Sequence, residues 1–188
     1  MKLVASSVAL LILMIGIGAA RAQPAGMDVF GEGKNGDKIH TASGFVCPHA
    51  IGTFVRDAAG EADPERQTAS CSYSTLDGVY GSITLVPLTD GYQPKSSLAP
   101  QFEQQQATGG KMVWQGTVKI GKPPLAVYAR LYQTAKLEDL KYTVLYSGSV
   151  VKNWAVETTI EYADPRDVPE KNAFLNGVYE AALAEIGK

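Results

Sequence analysis

The densest chemistry in this chain sits at Cys47-Pro48-His49, with His40 a short way upstream. A thiolate and imidazoles are ligands that copper or zinc accepts. Cys47, His49 and His40 therefore define one reading: a small exported hydrolase, or a thiol or metal protein centred on them. Against it stands Cys71, the only other cysteine. Two cysteines in an exported chain read most simply as a disulfide, and no C-x-x-C pair is present to lower a thiol pKa. A Cys47–Cys71 bridge would close a loop of about 25 residues, worth about 3.5 kcal/mol in the chain-entropy model. The disulfide is the expectation, with no metal site.

Other candidates fail on context. Gly31-Glu32-Gly33-Lys34-Asn35-Gly36 fits the dinucleotide fingerprint, but Asp37-Lys38-Ile39-His40 after it reads as strand. The pyrophosphate needs a helix N-terminus there. Serine chemistry lacks a G-x-S-x-G elbow. Glu157 with Glu161, and the group Glu61, Asp63 and Glu65, are paired carboxylates, yet both places read as facing solvent. Acid–base work needs a perturbed, buried carboxyl. No catalytic residue and no cofactor emerge.

A different group suits recognition. Tyr128, Arg130 and Tyr132 alternate, so one strand face carries all three. Aromatic and arginine side chains are enriched at binding surfaces. They form a candidate binding face, with Tyr142, Tyr146, Glu157 and Glu161 able to lie across the sheet from it. The competing reading is an ordinary second sheet face, covered by a helix through Leu98–Phe102.

The chain that positions these residues begins with an export signal. Lys2 is the positive n-region, Leu3 to Ala20 runs uncharged, and Ala20-Arg21-Ala22 supplies small residues for cleavage before Gln23. Residues 1–22 are read as the signal, which places the mature protein in the periplasm or outside the cell. Formal net charge is −2, and loss of Lys2 and Arg21 makes the mature chain more acidic. That argues against nucleic acid, which needs a basic field, and against anionic membranes once the signal is gone. A protein or small ligand is the expected partner.

Residues 23–37 are polar and Gly-rich and read as a flexible arm. Residues 38–188 read as one domain. Lys38–Phe54 is extended, and the charged stretch Arg56–Thr68 reads as a surface loop. Ala69–Leu76 and Val79–Leu88 form a hairpin about Asp77-Gly78. Ser96–Ala107 tolerates helix and Gly109-Gly110 stops it. Met112, Trp114, Gly116, Val118 and Ile120 then alternate as a half-buried strand. Strands from Leu125, Lys141 and Trp154 follow, with Lys152-Asn153 joining the last two. Asp167 and Glu170 look like a capping box for a C-terminal helix, whose Phe174, Val178, Ala182 and Ile186 share a face. The fold class expected is α+β: an antiparallel sheet of about six strands, a long C-terminal helix on one face and a shorter inserted helix. Trp114, Leu131 and Val156 are expected to meet Phe174 and Val178 in the core.

Gly44-Phe45-Val46-Cys47-Pro48, Cys71-Ser72-Tyr73 and Tyr80-Gly81-Ser82-Ile83-Thr84-Leu85 resemble uncharacterised exported proteins of Gram-negative bacteria. The element order resembles the Mog1/PsbP-like fold over most of residues 38–186. That resemblance implies a binding or accessory module rather than an enzyme. Two readings stay open: such a module with an unknown ligand, or the hydrolase, thiol or metal protein above.

Overall fold

A computed structural model describes residues 29–187. The signal segment, residues 1–22, and the first part of the arm, residues 23–28, lie outside that range. In chain order the strands are β1 (Phe30–Glu32), β2 (Lys38–His40), β3 (Val46–Cys47), β4 (Ala50–Ile51), β5 (Phe54–Asp63), β6 (Thr68–Ser74) and β7 (Tyr80–Pro87). Helices α1 (Pro94–Ser97) and α2 (Ala99–Ala107) follow. Then come β8 (Lys111–Ile120), β9 (Leu125–Leu137), β10 (Leu140–Val151), β11 (Trp154–Asp164) and helix α3 (Val168–Glu185).

The main sheet is antiparallel with order β4-β5-β6-β7-β11-β10-β9-β8. It is two hairpin series joined where β7 pairs with β11. A three-stranded sheet, β1-β2-β3, stands apart from it. The six-strand α+β expectation is therefore corrected: the main sheet has eight strands, with 51% of the described residues in strand against 21% in helix. The missed strand is β5. Its side chains are mostly exposed or half-buried, so nothing apolar marked Arg56–Asp63 as paired backbone. Its hydrogen bonds go to β6 regardless of side-chain polarity. The small sheet was missed too, because β1 lies inside the segment read as an arm. There Phe30 is buried and pairs with His40 across the ladder.

Helix α3 covers one face of the main sheet. Phe174, Val178, Tyr179 and Ala182 are fully buried against Tyr73, Ile83, Val156 and Ile160. Burial of that kind contributes about 1.5–3 kcal/mol per large side chain, as an upper bound. The approach is close enough that Gly81 has no room for a side chain: a Cβ there would lie 2.7 Å from the Phe174 ring. Tyr179 also anchors the helix by polar contact, since its hydroxyl lies 2.9 Å from Ser147 Oγ. The capping-box expectation is corrected in detail. Asp167 precedes the helix but makes no side-chain cap. Its carboxylate instead accepts the Ala163 N–H at 2.9 Å and pairs with Arg166. The Arg166 hydrogen bond holds the Asp167 carboxyl below the usual carboxylate range.

The Cys47–Cys71 disulfide ties β3 of the small sheet to β6 of the large one, with Cα atoms 6.4 Å apart. Arg56 adds a second tie, donating to the carbonyls of Cys47 and Gly36 at 2.6 Å each. Among the described residues no helix is long and apolar enough to cross a membrane.

Candidate functional site

Strand alternation on β9 sends Tyr128, Arg130 and Tyr132 to one side and Val127, Ala129 and Leu131 to the other. The first three do come together, under α2. Phe102 drops from α2 onto them, 4.0 Å from the Arg130 guanidinium carbon. Arg130 donates to Tyr132 Oη at 3.2 Å and to Gln115 Oε1 at 2.9 Å. Phe102 meets Tyr146 edge-on at 5.8 Å, and the Tyr146 hydroxyl donates to Gln105 at 3.1 Å. Tyr132 and Phe102 are buried, and Tyr128 and Arg130 are half-buried. This face is a second, small core in which Arg130, Tyr132, Tyr146 and the two glutamines bond one another, while the Tyr128 hydroxyl and Arg130 Nε are buried without a partner.

The cysteine and histidine residues do not make one centre. Cys47 is bonded to Cys71. His49 is exposed. His40 is buried, with Nδ1 2.8 Å from Ser43 Oγ and its ring edge-on to Trp154 at 5.0 Å. Burial pulls its pKa below 6.5. Among the described residues, no group of three or more His, Cys, Asp or Glu is placed to hold a metal ion. The Gly31–Gly36 run crosses from β1 to β2 through one short 3-10 turn, so no helix N-terminus meets it.

Glu157 is a correction. It was read as solvent-facing, yet it is 5% exposed. Tyr92, in the segment between β7 and α1, reaches over the sheet and donates to it at 2.7 Å. Burial, with Glu157 beside it, raises the Tyr92 pKa well above the usual phenol value. No local pattern marks this pair, because the partners are far apart in sequence.

The open site is on the opposite side of β8–β10. Helix α3 packs chiefly on β11 and barely reaches β8, the edge strand. That leaves a groove of about 370 Å³ lined by Trp114, Val118, Ile120, Leu131, Leu145 and Leu175. Trp114 is 43% exposed, so it is a groove wall rather than the core residue expected. Val156, Phe174 and Val178 are core, and Leu131 is only half-buried. The Trp114 indole lies along its own strand, over Gly116, where a Cβ would meet it at 2.8 Å. At the rim α3 presents Lys171, Asn172 and Asn176. The Lys171 ammonium stands 5.7 Å from the Tyr162 ring centroid. Burial lowers its pKa, and the charge of Asp164 acts the other way.

A largely apolar concavity with a few polar groups at one end is the usual form of a small-molecule site. The sequence held a partial signal for it: Trp114 and Leu131 are expected on the sheet face that meets the C-terminal helix. It could not say whether that face would be filled. The chain matches no protein-family model and no curated protein sequence.

Proposed function

We propose that this protein is a non-enzymatic, exported binding module that takes a small, largely apolar ligand in the groove between α3 and β8. One observation carries the reading: Trp114, Val118 and Leu175 line an open concavity that the fold leaves unfilled. Solvent-exposed apolar surface of this kind is costly in water and is relieved by a ligand. The Cys47–Cys71 bond supports an oxidising compartment, hence the periplasm or the cell exterior.

Titration with 1-decanol, followed by NMR, tests the site. The Trp114 indole N–H and the Leu131 and Leu175 methyls should shift together, while resonances of Phe102 and Tyr132 stay in place. Shifts confined to the α2 side, or none anywhere, would remove this groove as the binding site.

A further inference from the structure

The groove has one charged group, and that charge is not neutralised by a partner. Lys171 forms no ion pair among the described residues, and Asp164 acts on it only from beyond ion-pair distance. The ammonium has the Tyr162 ring for company. Asn172 and Asn176, one helical turn apart, line the same groove, and among the described residues neither side chain is in a hydrogen bond. A wholly apolar ligand would cover this cation and strip more of its water without giving a counter-charge. Desolvating an unpaired charge is expensive. An anion at the same place would turn that cost into a charge-assisted hydrogen bond.

From this we infer that the ligand is an amphipathic anion: its tail lies against Trp114, Leu131 and Leu175, and its head meets Lys171 with Asn172 and Asn176. The inference rests on the groove reading above and adds the head group to it. The volume, about 370 Å³, lies near the lower end of the roughly 300–1,000 Å³ of small-molecule sites. It suits one short acyl or alkyl chain better than a peptide segment. The head chemistry is a carboxylate or a phosphate monoester, both of which offer oxygen acceptors to an ammonium and two amides.

Calorimetry on the mature, oxidised protein decides it, with decanoate, decyl phosphate, 1-decanol and decyltrimethylammonium as probes, all below their micelle concentrations. Either anion should bind about tenfold more tightly than decanol, the ratio expected of one partly solvated charge-assisted contact. Lys171→Met should level the anions with decanol, and Lys171→Arg should keep the preference. Unchanged melting of both variants by circular dichroism separates the effect from misfolding. The inference is overturned if decanol binds as well as the anions, if the cationic probe binds best, or if Lys171→Met weakens decanol by the same factor. Binding by none of the four would instead overturn the groove reading itself.

Discussion

The two sides of strands β8–β10 invert what their residues promise. On the α2 side lie a guanidinium, four tyrosine and phenylalanine rings and two glutamine amides, the richest recognition chemistry in the chain. Around Phe102 that side is filled, although a cavity of about 410 Å³ beside α1 still reaches Tyr128. Phe102 seats on Arg130, and Arg130 bonds Tyr132 and Gln115. On the α3 side lie aliphatic residues and one tryptophan, which read as plain core. That side is open, because α3 tracks β11 and leaves the Trp114 end of the edge strand exposed. Residue types therefore tell what a surface can do once exposed. They do not tell which surface the fold exposes.

The largest test of this contrast is Phe102→Ala. If the α2 side is a true second core, the change should cost about 3–5 kcal/mol, as for buried phenylalanines elsewhere. Urea denaturation measures it. A loss below about 1 kcal/mol would mean α2 rests loosely and the Tyr128, Arg130 and Tyr132 face opens in solution.

A matched pair sharpens the comparison. Arg130→Ala removes two hydrogen bonds and a ring contact from a half-buried site. Discounted for solvent, it should cost about 1 kcal/mol and leave ligand affinity in the groove unchanged. Trp114→Ala should do the reverse, changing stability by less than about 1 kcal/mol while sharply weakening decanol and decanoate. Equal effects of the two substitutions on both measurements would erase the distinction between the sides.

The smallest effect concerns His40, a buried residue of the small sheet. Its folded pKa is depressed by burial, so the neutral ring is favoured in the folded state. Above about pH 6.5 folded and unfolded chains both hold it neutral, and its full contribution is present. As pH falls through that range, the unfolded chain takes up a proton that the folded chain resists. Stability then drops until the folded ring itself titrates. Melting temperature should fall on acidification across that window, and His40→Asn should flatten this part of the profile. A wild-type curve with no such slope would show that water reaches His40 beside Trp154.

Much of the main sheet was legible. The hairpin about Asp77-Gly78, the strands on either side of Lys152-Asn153 and helix α3 stand where the turn residues and apolar pattern put them, although β10 and β11 prove buried on both faces. Strand β5 was hidden, since a polar strand near a sheet edge has the composition of a loop. The candidate site was half legible. Trp114 and Leu131 are expected on the α3 side of the sheet, but as core residues packed on Phe174 and Val178. Glu157 was assigned to solvent, and only Tyr92 arriving from outside the sheet buries it.

Sequence alone determined which side of each strand is apolar, where the chain turns, and that two cysteines are available to pair. Those properties are local: they follow from alternation, from turn residues and from count. Only the tertiary structure decided which apolar side is sealed. That depends on how far a helix reaches across the sheet, and α3 packs chiefly on β11 and touches β8 only sparingly. The gap between Leu175 and Trp114 is set by the distance between elements, a quantity that no single segment encodes.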